Sequence, residues 1–185
     1  NASYENLVNE AQRDFKTGLF NSRTFYYQLE QEIDRSRRYG LVFTLLFIDL
    51  DNFKNFNDTH GHLAGDMLLE NFSQQLKNQL RSIDVAGRFG GDEFCILFPQ
   101  THRITAITAA NRIQRILGTI MNSPTREESG VSISGGLVMF PFNGTTRKRL
   151  FQAADRTLYA AKSAGKDRII AADHSVNVPV FSSKI

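Results

Sequence analysis

One cysteine, no tryptophan and four prolines leave this 185-residue chain without several common sources of constraint. A lone Cys95 cannot close an internal disulfide, and no cysteine-histidine cluster has the spacing that holds structural zinc, so stability has to come from packing. Also missing is any run near the roughly 20 uninterrupted apolar residues of a membrane-crossing helix, and the N-terminus lacks the basic-then-apolar secretory pattern. Strong charge of one sign is absent as well. With 22 Lys and Arg against 19 Asp and Glu, the formal charge of +3 argues against a nucleic-acid surface and suits some anionic ligand. The short basic clusters Arg35, Arg37, Arg38 and Arg147, Lys148, Arg149 sit beside glycine-containing turns and read as solvated charge. No nucleic-acid partner is expected.

What the chain does contain is enough for one core and too little for two ordinary domains. Asn1–Gln12 are polar and suit the end of a helical linker from an upstream region, which places a leader at 1–13, the domain at 14–172 and a loose tail at 173–185. From Ser22 or Arg23, the residues Phe25, Leu29 and Ile33 recur at helical spacing, and Gly40 supplies a stop just after Arg37 and Arg38. Leu41–Leu50 is a nearly continuous apolar run of strand length, expected to form a central strand buried on both faces. After the polar segment Asp51–Gly65, the series Leu68, Phe72, Leu76 and Leu80 marks an amphipathic helix with its N-terminus near Gly65. Asp84–Phe89 and Glu93–Phe98 read as strands around Gly90-Gly91-Asp92, the turn chemistry of a tight hairpin.

A helix marked by Ile104, Ile107, Ile113, Ile116, Leu117 and Ile120 follows, then a polar loop around Pro124 and a strand Val131–Phe140. A last helix through Leu150, Ala154, Leu158 and Ala161 stops at Gly165, before a short strand at Ile169 and Ile170. Helices and strands that alternate around a hairpin predict an α/β fold: a mixed, mainly antiparallel central sheet flanked by helices, ferredoxin-like with additions.

Chemistry is concentrated at two places. Asp49 stands at the exit of the apolar strand and Asp51 two residues on, on the same side of an extended chain. Burying carboxylates without a partner is costly, so this pair beside a second acidic cluster, Asp92 and Glu93, invites a hard cation, best magnesium with phosphate oxygens. The plainer alternative makes Asp49 and Asp51 caps of the next segment and Asp92 a turn residue. A strand and an adjacent hairpin that both end in acids form a layout in which two metals can bridge the attacking and leaving oxygens of a phosphoryl transfer.

The hairpin Gly90-Gly91-Asp92-Glu93-Phe94 resembles the signature of the GGDEF domains. So do the blocks Asp14–Arg23, Asp49–Asp66 and Ala154–Lys166, which occur in family order from about Asp14 to Ile170. The resemblance implies a nucleotidyl-cyclase palm with the motif on a β-hairpin, and a diguanylate cyclase that condenses two GTP into cyclic di-GMP and two pyrophosphates. Asp49, the Leu50 carbonyl, Asp92 and the neighbouring Glu93 then resemble the ligands of Mg2+ or Mn2+, two per active site. Asp49, Asp92 and Glu93 are the catalytic candidates. Asp92 is the family's candidate to help remove the 3′-hydroxyl proton, although a metal-bound carboxylate is a poor base and metal ligation suits it better.

Gly90 and Gly91 leave room for substrate to approach. Asn57 and Asp66 match positions that hydrogen-bond the guanine edge, the rival role of Asp66 being to cap the helix near Gly65. Lys54, Lys162 and Lys166 resemble contacts to the triphosphate. Where Lys166 replaces a frequent Arg, it keeps the charge and loses the bidentate fork. His60 and His62 read as local hydrogen-bonding residues, and Cys95 as a small core residue.

Arg81-Ser-Ile-Asp84 lies at the offset from Gly90 where relatives carry an RxxD inhibitory site for product; the plain alternative is a surface ion pair. The resemblance also implies a homodimer for catalysis, because each subunit holds one GTP, and an upstream sensor domain. It further implies a domain facing the cytoplasm, in a parent protein that could itself be membrane-attached. Three departures stand out: Lys16 and Gly135 at usually apolar positions, and Ser22 at a usual Arg. Lys16 and Ser22 are expected to bear on how the leading segment couples to the domain. The rival functions are a regulatory receptor that binds GTP or cyclic di-GMP with weak or no catalysis, and a cyclase making an adenine-containing product, which Asp66 argues against.

Overall fold

The computed structural model describes residues 11–120 and 130–173. In chain order the elements are β1 (Phe20–Asn21), α1 (Ser22–Tyr39), β2 (Phe43–Asp51), α2 (Phe53–His60), α3 (His62–Gln79), β3 (Val85–Gly90), β4 (Glu93–Pro99), α4 (Arg103–Ile120), β5 (Ser132–Phe140), α5 (Arg147–Ser163) and β6 (Ile169–Ala171). The six strands form one sheet in the order β1-β3-β4-β2-β5-β6, antiparallel at its centre with β1 and β6 added in parallel at the edges. Stripped of those edges, β2, β3, β4 and β5 with α3 and α4 are two interlocked split β-α-β units, the ferredoxin-like arrangement the alternation predicted. Residues 1–10 of the expected helical leader, the loop around Pro124 and nearly all of the tail lie outside the described residues.

β2 is buried along its whole length, and its two faces feed two cores. Leu46, Ile48 and Leu50 pack with α3 and α4 residues such as Leu69, Phe72 and Ile113. Phe43, Leu45 and Phe47 pack with Phe25, Leu29 and Ile33 of α1 and with Leu150, Ala154 and Leu158 of α5. By the period of two, Asp49 and Asp51 continue the second face beyond the point where apolar side chains stop. Cys95 joins that second core, where burial pushes its thiol pKa well up, in keeping with a core role.

Local signals explain most boundaries. Asn21 caps α1 by accepting from Thr24 N, and Gly40 ends it in the left-handed conformation at φ 65°. Both basic clusters engage neighbouring groups at the surface: Arg35 and Arg37 pair with Glu32 and Asp34, and Arg147 pairs with Glu30 while lying over the Tyr26 ring.

Three expectations need correction. The segment Asp51–Gly65 is not a plain polar connection: it holds α2 and the first turn of α3, so α3 begins at His62 and Asp66 lies inside it rather than at its cap. With only Phe53 and Phe56 apolar, α2 is too short and polar to show a period, and Gly61 at φ 87° separates the two helices in a conformation open to glycine. Leu80 follows the end of α3 in extended backbone. Ile104 is 81% exposed, because the inward face of α4 is Ala106, Ala110, Ile113 and Ile116; the side chains of Leu117 and Ile120 lie outside the described residues.

Candidate active site

The end of β2, the β3–β4 hairpin and the end of α5 meet at one edge of the sheet. Asp49 is the register partner of Glu93, and Leu50 N–H donates to the Asp92 carbonyl at 3.1 Å, so the strand and hairpin acids are brought together by the sheet ladder. From α5, Lys162 Nζ reaches Asp49 Oδ2 at 2.7 Å. Lys166, just past α5 at φ 60°, donates to Asn52 Oδ1 at 2.7 Å, directly after the end of β2. Lys54, in the first turn of α2, is exposed.

The hairpin tip is held from below. Arg88 donates through Nε and Nη2 to the Gly91 carbonyl at 3.2 and 2.7 Å, and its Nη1 grips Asp14 at 3.1 Å. A β-bulge at Phe89 turns that ring into an aromatic cluster with Phe25, Tyr26, Phe47 and Phe151. A Cβ on Gly90 or Gly91 would meet no atom within 4 Å. Protein packing therefore does not demand two bare residues, and the free space lies open to a ligand.

Electrostatics single out the acids of the tip. Partial desolvation, then the Asp49 charge, raise the Asp92 carboxyl above its ordinary pKa against the opposing pull of Lys162 and Arg88. Glu93 stands exposed and is raised too, by desolvation and by Asp49 and Asp92. Lys162 and Arg88 leave Asp92 and Glu93 raised all the same, so the three carboxylates are under-compensated. Two carboxylates and a main-chain carbonyl are hard oxygen donors that suit Mg2+ or Mn2+. No three His, Cys, Asp or Glu side chains converge as a ready-made metal cage among the described residues.

Asp51 does not share this role, contrary to its expected pairing with Asp49. Its carboxylate accepts from Ser132 Oγ at 2.6 Å, from Ser134 Oγ at 2.8 Å and from Asp167 N at 3.2 Å. Hydroxyls are its partners in place of a cation, and it ties β2 to β5 and to the turn after α5. The alternation Ser132-Ile133-Ser134 on a strand was the signal available for this.

A second cluster lies on α2 and α3. Gly65 faces Asn57 so closely that a Cβ there would stand 1.7 Å from Asn57 Oδ1, an atom that is buried without a hydrogen-bond partner. Asp66 is held by Lys16. The contact ties the start of the domain to the base-site candidate, whereas Ser22 opens α1. His60 Nδ1 lies 3.2 Å from the Phe56 carbonyl with its ring stacked on Phe56, a local role as expected. Arg81 and Asp84 form a third group, closed on itself: Nη2 to Oδ1 at 2.8 Å and Arg81 N to Oδ2 at 2.8 Å, with Thr101 Oγ1 also accepting from the guanidinium. The plain ion pair is present, between clefts of about 270 and 330 Å³ that also carry Arg13, Lys77 and Arg112.

Arg88 and Asp14 escaped notice as site residues, since a single Arg in a strand and an Asp eleven residues before the first long apolar helix face gave no shared pattern. Burial alone would raise the Asp14 pKa. Hydrogen bonds from Thr17 and Arg88 outweigh it and hold the carboxyl below its usual value. A depressed carboxyl contributes stability that is present above its unfolded pKa of about 3.9 and is lost as pH falls through the folded value. Asp14→Asn is therefore expected to lower the melting temperature at pH 7 and to narrow the gap between pH 7 and acid melting points, read by circular dichroism.

This fold and hairpin define a palm-type nucleotidyl-cyclase domain. Residues 11–168 match the family described as diguanylate cyclase, GGDEF domain, and the chain belongs to that family. It is 39% identical over 156 residues to the probable diguanylate cyclase DgcC of Escherichia coli K12, covering 84% of this chain and 42% of that protein. Among solved structures it is similar to the coiled coil and GGDEF domain of DgcB from Caulobacter crescentus, in complex with c-di-GMP: TM-score 0.83, 26% identity, 92% of this chain and 91% of that one. It is also similar to the diguanylate cyclase SiaD of Pseudomonas aeruginosa, in complex with its activator SiaC: TM-score 0.81, 32% identity, 92% and 65% of the two chains. The chain spans less than half the length of curated relatives that it matches, DgcC among them. No helix is long and apolar enough to cross a membrane among the described residues.

Proposed function

We propose that this domain condenses two GTP molecules into cyclic di-GMP, each 3′-oxygen attacking the α-phosphorus of the other nucleotide as pyrophosphate leaves and the hydroxyl proton is lost. The observation that carries this reading is the meeting of Asp49, Asp92 and Glu93 at an open glycine turn, with Lys162 and Arg88 as the counter-charges that Asp92 feels. Mg2+ or Mn2+ held by Asp49, Asp92 and the Leu50 carbonyl, with Glu93 alongside, would polarise the attacking hydroxyl and neutralise phosphate charge. Lys162, Lys166 and Lys54 offset the charge of the departing pyrophosphate. Gly90 and Gly91 let the triphosphate lie against the hairpin backbone. Asp66 accepts from the N1–H and amine of guanine, and the unpartnered Asn57 Oδ1 gains a donor from the same base.

One chain supplies one such site, so catalysis needs two copies facing each other, with control from a sensor segment of a longer polypeptide. The substrate is cytoplasmic, and so is the expected location. Arg81, ringed by Arg13, Lys77 and Arg112 across its two clefts, is suited to grip the phosphates of the product, with Asp84 on a guanine. Binding there requires the Arg81–Asp84 pair to open.

The test is formation of cyclic di-GMP from GTP and Mg2+ at high protein concentration, identified by mass. Arg81→Ala is expected to raise the product yield severalfold by relieving inhibition. Absence of product from every variant, even when two copies are joined through an added coiled coil, would replace the cyclase reading with a receptor for GTP or cyclic di-GMP.

A further inference from the structure

Lys16 reaches the base-site candidate Asp66 from fifty residues away in the sequence. Its ammonium holds Asp66 Oδ1, and the pair is neither sealed nor free, with side chains 22% and 39% exposed. Position 16 is fixed from both sides: Asp14 accepts from Thr17 N at 2.9 Å and Lys77 donates to the Thr17 carbonyl at 2.9 Å. Around the pair lies an uncovered apolar rim. Leu63, which lies one turn before both Asp66 and Met67 on α3, is 77% exposed; Met67 is 55% exposed and Phe15, beside Lys16 in the chain, 94%. Beside it stands the buried, unpartnered Asn57 Oδ1. A polar pair with spare hydrogen-bonding capacity inside an apolar rim is the chemistry that receives a flat heterocycle with a polar edge.

A carboxylate has about four acceptor sites and an ammonium three donors, and the contact between them uses one of each. What remains is an edge that reads acceptor, acceptor, donor. Guanine presents the complement in the same order: the exocyclic amine, N1–H and the O6 acceptor. Adenine reverses the last two, with an acceptor at N1 and a donor at the 6-position, so it meets Asp66 and Lys16 with the wrong sign at both. A plain apolar residue at position 16 would leave O6 unread.

We infer that Lys16 is a specificity-determining residue of the base site, its ammonium donating to O6 of the guanine that Asp66 holds through N1–H and the amine. This rests on the assignment of Asn57 and Asp66 to the base made above. Calorimetric titration with a chelator present, so that nothing turns over, tests it with GTP, ATP and 6-thio-GTP, which differs from GTP only at the O6 position. The native chain is expected to bind GTP about tenfold more tightly than 6-thio-GTP, the lower end of what a charged hydrogen bond contributes. Lys16→Met should bring GTP down to the 6-thio-GTP affinity while leaving the latter unchanged, and Lys16→Arg should retain most of the preference. Circular dichroism checks that each variant is folded.

A native chain that does not distinguish the two nucleotides overturns the inference. So does a Lys16→Met variant that binds GTP equally well or more tightly, which would make the ion pair a competitor of the base. Asp66→Asn separates the two levels: it should weaken both guanine nucleotides. GTP binding unchanged in that variant removes the base assignment itself, and Lys16 with it.

Discussion

Asp92→Asn is expected to melt at a higher temperature than the native chain when metal-free, and to lose cyclic di-GMP formation by at least about two to three orders of magnitude, the scale on which preorganised electrostatic groups act. Both halves come from the same geometry. Asp92 is partly desolvated and feels the charge of Asp49, and its folded pKa stands above the ordinary value. For such a carboxyl the destabilisation is complete above the folded pKa, shrinks as pH falls, and is gone below the unfolded value. Replacing it with a neutral amide of equal size relieves that strain at neutral pH and gives no gain in acid.

The same replacement removes an oxygen donor of the metal site and part of the charge against which a cation is held. Melting curves in chelator at pH 7 and near pH 3, beside product quantified by mass, check the pair of effects. A variant that melts lower at pH 7 yet stays inactive would return Asp92 to a structural turn residue. Stability held below its optimum for the sake of a functional charge is a familiar trade.

The second large effect is on folding. Gly136→Ala is expected to cost about 3 kcal/mol, the upper part of the range for overpacking, and to lower the melting temperature by roughly 6–12 °C in a domain of this size. A Cβ at Gly136 would stand 2.5 Å from the Ala154 carbonyl oxygen and 2.6 Å from Leu158 N, both backbone atoms of α5 that no rotamer change can move. The helix must shift, and it carries Lys162, so activity should fall along with stability.

Gly135 is the control. There a Cβ would meet Ile169 Cγ1 at 3.0 Å and Leu46 Cδ1 at 3.2 Å, ends of side chains that can turn, with the Phe47 carbonyl at 3.2 Å. Gly135→Ala should cost under half as much. Denaturant melts of the two variants decide whether α5 rests on β5 through backbone contact.

The elements legible in the sequence were those with a strong period or strong punctuation. The apolar run of β2 is buried on both faces as expected, the Gly90-Gly91-Asp92 turn forms the hairpin, and Gly40 ends α1. α2 was not legible, since eight mostly polar residues show no repeat and owe their helicity to Phe53 and Phe56 packing against the core. Ile104 has the helical spacing of an inward residue, yet Ala106, Ala110, Ile113 and Ile116 occupy the inward face and leave it exposed.

The candidate site divides in the same way. Asp49 and Glu93 stood out as acids at the ends of apolar strands, and Asp92 through the glycine turn that holds it. By itself the sequence determined the strand order's raw material, the hairpin and the list of acids and lysines, because period, turn chemistry and spacing are local properties. Only the tertiary structure decided what each charge faces. Asp51 went to serine hydroxyls and Asp49 to Lys162; Asp66 went to Lys16 from fifty residues away, and Arg81 to its own Asp84. Partners of buried or half-buried charges are fixed by which elements pack together, and a one-dimensional pattern does not carry that information.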